Sequence, residues 1–331
     1  MTNPTIHVVG IGNAIVDIIG RCDDAFLSRH GVAKGSMRLI DTATVNALYK
    51  DMGPGIQISG GSAANTMVGI ASLGGQSAFI GKVADDEFGQ IFGHDLRAAG
   101  VAFQTPAAKG GEPTARSLIL VTPDGERTMN TFLGVSPELD HGAVDADLIA
   151  SADIVYLEGY LFDRPEAKAA FRQAAAIAAK AGRKVALTLS DAFCVDRHRD
   201  EFHDLVRNHV DILFANESEI TSLYQTADFT TAAAAAARDT KLAVLTRSAK
   251  GAEIISGNET VRVPAYPVAK VIDTTGAGDL YAAGFLFGVA SGRNFETSGR
   301  LGALAASEII SHVGARPATS LATLAKAQGL L

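Results

Sequence analysis

The fold is set by three consecutive runs: Asp153-Ile-Val-Tyr-Leu157, Pro165 to Ala181, and Lys184-Val-Ala-Leu-Thr-Leu189. They read as a strand, a helix and a strand. The pattern continues with a helix over Arg199–Asn208, a strand over Ile212–Ala215, helices near 217–224 and 230–238, and a strand over Leu242–Thr246. Alternating strands and helices predict a parallel sheet covered on both faces. Towards the N-terminus, the apolar runs Ile6–Ile11 and Ile15–Ile19 have strand length, 61–73 has helical spacing, and Ser77–Ile80 is again a strand. Asp85–Ala98 is helical in pattern, with Asp85, Asp86 and Glu87 in the first turn, where carboxylates suit the helix dipole. Residues 101–134 break the alternation. Arg116–Val121, the turn signal Pro123-Asp124-Gly125 and Arg127–Leu133 form a hairpin pattern. Residues 276–331 are almost all helical in pattern. No linker divides the chain, so 1–331 is expected to be one α/β domain with a small β appendage.

Composition narrows the classes. Glycine supplies 34 of 331 residues, against an average usage of about 7%. The excess is local, with eight glycines in 53–81 and five in 276–292. Collagen is excluded because glycine does not recur at every third position, and disorder because 47% of residues are hydrophobic. The net charge is −7 with no dense Lys/Arg run, which argues against nucleic acid as a partner. Cys22 and Cys194 have no metal-ligand spacing and read as free thiols of a reducing compartment. Residues 52–81 carry no charge, yet their glycine, serine, asparagine and glutamine deny them the sustained hydrophobicity of a membrane span. The N-terminus lacks a signal-peptide layout. The chain is therefore expected to be cytoplasmic, with no membrane partner.

The sharpest chemical signal is Asp273-Thr274-Thr275-Gly276-Ala277-Gly278-Asp279, running into the helical pattern Leu280–Val289. Glycines at a helix start leave the N–H groups of 276–279 bare, and such a start binds anions. Asp279 at that place is either a capping carboxylate or a general base beside an anion hole.

The motif, with Ala283-Gly284-Phe285-Leu286 behind it, resembles the C-terminal signature of the ribokinase-like (PfkB) carbohydrate kinases. Gly60-Gly61-Ser62-Ala63-Ala64-Asn65, then Leu73-Gly74-Gly75, Gly81 and Asp85-Asp86-Glu87-Phe88-Gly89, resemble the N-terminal one. Asn216-Glu217-Ser218-Glu219 is similar to the family's Asn-x-x-Glu element, and Thr246 with Gly251-Ala252 to its nucleotide loop. The resemblance implies a ribokinase-like three-layer fold, a central mostly parallel sheet flanked by helices, with a small β-sheet lid over about 14–40 and 101–134. It also implies transfer of a phosphoryl group from ATP to a hydroxymethyl group. Asp279 would be the base, and Gly276, Ala277 and Gly278 the anion hole. Thr246, Gly251 and Asn216 would serve ATP, and Asn216 and Glu219 would organise Mg2+ through its waters. Asp273 and Thr275, with carbonyls of 310–315, would form a monovalent-cation loop for K+. The acceptor would meet Asn13, Asp17, Gly60, Gly61, Asn65 and Phe132, with Arg116, Arg127 and Asn130 as further lid candidates. A carboxylate at Asp17 accepts from two hydroxyls at once, and glycine admits a sugar close to the backbone.

Gly12-Asn13…Asp17-Ile18, Arg127 to Gly134, and Leu187-Thr-Leu-Ser190-Asp-Ala-Phe193 are most similar to the adenosine-kinase branch. The ribokinase branch usually has Asp-x-Asn-x-Arg where this chain has Ser190-Asp191-Ala192-Phe193. The expected acceptor is thus adenosine. A free sugar (fructose, ribose or a ketodeoxy acid) is the alternative, and a silent nucleotide or metabolite sensor is the alternative of another class. Other readings fail. Lys82 is followed by Val83, against a P-loop. In Gly10-Ile-Gly12 the third glycine position is Ile15, against a dinucleotide fingerprint. His198, His203 and His209 are spaced five and six apart, off one helix face, and read as solvated. Both a monomer and a homodimer fit the sequence.

Overall fold

The computed structural model describes residues 6–331. Its strands are β1 (Ile6–Ile11), β2 (Ile15–Arg21), β3 (Met37–Leu39), β4 (Gly55–Gly60), β5 (Ser77–Ile80), β6 (Val101–Phe103), β7 (Ala115–Val121), β8 (Arg127–Phe132), β9 (Ala152–Glu158), β10 (Lys184–Thr188), β11 (Ile212–Asn216), β12 (Leu242–Thr246), β13 (Ala252–Ser256) and β14 (Glu259–Val263). They form two sheets. The larger has the order β14-β13-β12-β11-β10-β9-β1-β5-β6 and the smaller β3-β8-β7-β2-β4. From β12 to β6 every pairing in the large sheet is parallel, and β13 and β14 add an antiparallel edge.

The parallel strands are buried on both faces, which is why β5 and the centre of β9 are continuous apolar runs rather than alternating ones. One face packs against the helices Ser62–Ser72, Ala277–Ala290 and Phe295–Ile309, and the other against Pro165–Lys180 and Ala192–His209. At one edge Phe79, Phe92 and Phe103 form a ring cluster with centroids 5.3 to 6.1 Å apart. The helix Glu87–Ala98 that carries Phe92 starts at Asp86, whose carboxylate accepts from Gly89 N at 2.8 Å. Asp85 thus lies outside the helix.

The small sheet departs from its expected ranges. Val101–Phe103 pairs with β5 in the large sheet, whereas Gly55–Gly60 joins the small one against β2. Gly55-Ile-Gln-Ile-Ser-Gly60 alternates apolar and polar residues, but its flanking glycines mask the strand signal. The helices Asp24–Arg29 and Thr42–Asp51 link the strands of this sheet. Residues 310–320 carry no helix, so the C-terminal region is less helical than its pattern implies. His198 and His203 are half-buried and hydrogen-bonded rather than freely solvated. His198 Nε2 lies 2.6 Å from Asp163 Oδ1, at a kink in the helix Ala192–His209, and His203 Nε2 lies 3.0 Å from the Leu223 carbonyl. Cys194 is buried, Cys22 half-buried, and both are free thiols. No described helix is long and apolar enough to cross a membrane.

Phe92 has no exposed surface. Phe92→Ala is expected to cost about 3–5 kcal/mol, read as a lower denaturant midpoint at unchanged slope. A loss below about 1 kcal/mol would mean that the cluster does not anchor this edge.

Candidate active site

The helix Ala277–Ala290 begins at Gly276, whose φ of 79° is left-handed and favours glycine. This turn swings the chain so that the first N–H groups of the helix face outward. The Ala277 N–H is committed to the Thr274 carbonyl at 3.2 Å. The first-turn carboxylate, Asp279, caps nothing in its own helix. Its Oδ1 accepts from Ser62 Oγ at 2.6 Å and its Oδ2 from Asn65 Nδ2 at 2.9 Å. Thr66 Oγ1 donates to the Asp279 carbonyl at 3.2 Å. Ser62, Asn65 and Thr66 sit in the helix Ser62–Ser72, which starts after Gly61, another left-handed residue with φ of 95°. The two glycine-rich segments of the sequence therefore meet at one carboxylate.

Burial raises the Asp279 carboxyl above its ordinary range, while Ser62, Asn65 and the Arg316 guanidinium pull it back. Arg316 is fixed from behind: its Nε and Nη2 donate to the Ser59 carbonyl at 2.9 and 2.8 Å, and its Nη1 to the Ala64 carbonyl at 2.9 Å. Asp17, on β2, lies over Gly60, where a side chain would collide with its carboxylate. Burial pushes Asp17 up to about 6, against the pull of Arg316 and Arg127. The Asp279 charge adds to that rise, as it does for Glu158 and Glu219. The site is an acidic cluster around the Arg316 guanidinium.

Asn216 and Glu219 form a capping box on the helix Glu217–Leu223. Asn216 N and Nδ2 donate to Glu219 Oε2 and Oε1 at 2.9 and 2.6 Å, and Glu219 N donates to Asn216 Oδ1 at 2.9 Å. Burial lifts Glu219 to about 7. Each of its oxygens retains a lone pair, so the pair fits the outer shell of a magnesium ion through water. Beside it, Asn216, Ser218, Thr221, Ala227, Thr246 and Ser248 line a cavity of about 470 Å³. Gly251 stands behind this cavity, donating to the Ser248 carbonyl at 3.0 Å.

The expected monovalent-cation loop is occupied differently. Asp273 Oδ1 accepts from Thr275 N at 3.0 Å and Thr275 Oγ1 at 2.7 Å, and Oδ2 accepts from Gly314 N at 2.9 Å and pairs with Arg127 Nη1. A carboxylate offers about four acceptor positions, and all are taken. The Arg127 guanidinium supplies positive charge beside this carboxylate.

Other acceptor and lid candidates have partners of their own. The Asn13 side chain bonds Glu158 and Ser136. Arg116 is buried over the Phe88 and Phe132 rings, and Asn130 Oδ1 accepts from Arg38. Phe132, with Leu39, Ile40, Leu133, Gly134 and Pro137, lines a second cavity of about 370 Å³ at the end of the small sheet. Sequence reasoning missed Glu158, Arg316 and the contact made by Ser62. A charged residue closing the apolar strand Asp153–Leu157 was the available signal for Glu158; Arg316 has no local signal.

A parallel sheet whose strand ends meet a glycine-led helix start and a carboxylate cluster offers the anion-binding N–H groups and the base that phosphoryl transfer uses. The chain belongs to the pfkB family of carbohydrate kinases, whose sequence pattern it matches over residues 56–321, and so is an ATP-dependent phosphotransferase acting on a sugar or nucleoside hydroxyl. It is 51% identical to a probable sugar kinase from Rhizobium etli, covering 99% of this chain and 100% of that one with a TM-score of 0.92. It is 55% identical to the adenosine kinase of Sinorhizobium meliloti, covering 97% and 98% with a TM-score of 0.90. It is also 28% identical to an uncharacterized sugar kinase of Archaeoglobus fulgidus, over 75% of this chain and 97% of that protein.

Asp17 yields a pH prediction. Its folded value of about 6 exceeds an unfolded value of about 3.9, so the folded state binds the proton more tightly. Its contribution to stability therefore falls as pH rises from about 4 to about 6. Asp17→Asn is expected to gain thermal stability relative to the parent across that window. An offset independent of pH would contradict the placement of Asp17.

Proposed function

We propose that the protein transfers the γ-phosphoryl group of ATP to the ribose 5′-hydroxyl of adenosine, forming AMP and ADP. The carrying observation is the Asp279 carboxylate, which lies in the first turn of a glycine-led helix between Ser62 and Asn65. In this reading Asp279 accepts the proton of the attacking hydroxyl. Its raised affinity for a proton suits a base that must also release it. The N–H groups of Gly276 and Gly278, with Ala277 completing the turn, stabilise charge on the moving phosphoryl, a task that needs positioning and charge neutralisation above all. Asp17 accepts from the vicinal ribose hydroxyls beside Gly60 and Gly61. Thr246 and Asn216 line the ATP side, with Gly251 behind them. Asn216 and Glu219 hold the waters of a magnesium ion, which when bound neutralises phosphate charge. The five-stranded sheet is the lid that keeps water from the phosphoryl group.

Two observations support adenosine as acceptor. One is the likeness to the Sinorhizobium meliloti adenosine kinase over nearly the whole chain. The other is the cavity at the end of the small sheet, where Leu39, Ile40, Phe132, Leu133 and Pro137 offer apolar surface of the kind that suits a purine base, beside polar residues such as Thr42, Glu112 and Arg164. A free sugar would leave such a surface bare. The comparable likeness to the Rhizobium etli protein favours a sugar as the second reading.

ATP-dependent ADP release across a panel of nucleosides and sugars separates these readings. Adenosine is expected to give the highest kcat/KM. Turnover with a free sugar alone would overturn the adenosine reading, and no turnover with any acceptor would favour a sensor. Asp279→Asn is expected to lower kcat ~10²–10⁴-fold while ATP still binds by calorimetry; near-normal kcat would overturn the role of Asp279.

A further inference from the structure

Among the described residues, four stretches of chain cross between the two sheets: 12–14, residue 61, 104–114 and 133–135. Two of them meet at one buried carboxylate, and a third is joined to it through Ser136. Glu158, at the end of β9, is 1% exposed. Its Oε1 accepts from Asn13 N at 3.2 Å and Asn13 Nδ2 at 2.8 Å, and its Oε2 from Ala63 N at 2.8 Å. The first two bonds hold the β1–β2 crossing. The third holds the helix start just past the crossing at Gly61. Ser136 brings in the crossing that follows β8: its Oγ donates to Asn13 Oδ1 at 2.9 Å and accepts from Ala14 N at 3.0 Å. Gly12 makes room, since a Cβ there would fall on the Glu158 carboxylate. The crossing at 104–114 is tied separately, through Thr114 to Asp86.

None of these bonds is local, and Glu158 caps nothing at the short helix that follows it. Burying a charge is expensive, and an apolar residue of similar volume is often at least as stable. Stability of the strand end therefore gives no reason for a carboxylate. Geometry does, because two oxygens with fixed directions hold two separate backbones at a set distance, which an apolar contact leaves free to slide.

We propose that Glu158 is a positioning residue, the pin of the hinge between the small sheet and the body. It fixes the crossings at 12–14 and 61–63, and through Ser136 the one at 133–135, so that the small sheet closes over the acceptor in one register. Asn13 is then the link between the β1–β2 crossing and this pin. The kinetic half of this proposal rests on the phosphotransfer reading; the hinge half concerns the backbone alone.

The test uses Glu158→Gln, Glu158→Ala and Ser136→Ala in the full chain. In Glu158→Gln the side-chain NH2 faces the Ala63 N–H, so a donor meets a donor. Amide hydrogen exchange of the ligand-free protein is expected to rise roughly 10-fold over 12–15 and 61–64 in both Glu158 variants, with 84–86 and 114 unchanged. Ser136→Ala cuts one link and is expected to loosen 12–15 and 134–137 but not 61–64. In the ADP-release assay the acceptor KM should rise ~10-fold, with the ATP KM within about 2-fold. Exchange that stays at the parent level, or rises evenly over the whole chain, overturns the hinge. Local loosening with an unchanged acceptor KM overturns the positioning role. If Glu158→Ala does not fold, the other two variants decide by the same criteria. A parent protein that turns over no acceptor would count against the phosphotransfer reading, while the exchange pattern would still decide the hinge.

Discussion

The Asp279 carboxylate must sit between Ser62 and Asn65 and at the start of its own helix at the same time, and much of the structure serves that requirement. The donors come from a helix that begins at Gly61 and the acceptor from one that begins at Gly276. Both starts turn through left-handed glycine, so both helices enter the site with their N-termini facing it. The helices then pack side by side on one face of the large sheet, within the same apolar core. The two glycine-rich windows of the sequence are thus two halves of one device: each supplies a helix start, and the carboxylate joins them.

Around this joint the chain gathers carboxylates and few cations. Asp17, Glu158 and Glu219 are all raised by burial, and each is raised further by the Asp279 charge. Arg316 balances part of this charge, and burial in turn holds its guanidinium down, to about 10. Arg127 reaches across from the small sheet to pair with Asp273, tying that sheet to the turn that precedes the helix of Asp279. An acidic site accepts a polyphosphate only with help from helix N–H groups and a divalent cation, and in the proposed reaction the turn at Gly276–Gly278 and the pair Asn216 and Glu219 would supply that help.

What the sequence disclosed follows from how local each feature is. The parallel sheet was legible because its strands are buried on both faces and alternate with helices in order, from Asp153 to Thr246. The motif Asp273–Asp279 was legible because turn, anion site and carboxylate lie within seven consecutive residues. The assignment of Val101–Phe103 to the large sheet and Gly55–Gly60 to the small one was not, since both segments are short and their partners are distant in sequence. The bond of Asn13 to Glu158 was hidden because the two lie 145 positions apart. Arg316 was hidden for the same reason, its acceptors being the carbonyls of Ser59 and Ala64. The pairing of Arg127 with Asp273 was hidden as well, since it joins the small sheet to a loop 146 positions away.

The central claim, that Asp279 is the base and that Ser62 tunes it, is tested most directly by the pH dependence of kcat/KM for the acceptor. The acidic limb of that profile reports the titration of the base in the free enzyme. The Ser62 hydrogen bond holds the Asp279 carboxyl down against burial, so Ser62→Ala is expected to move the acidic limb to higher pH. A limb that stays where it is in the parent would show that the titrating base is another group, and would contradict the account.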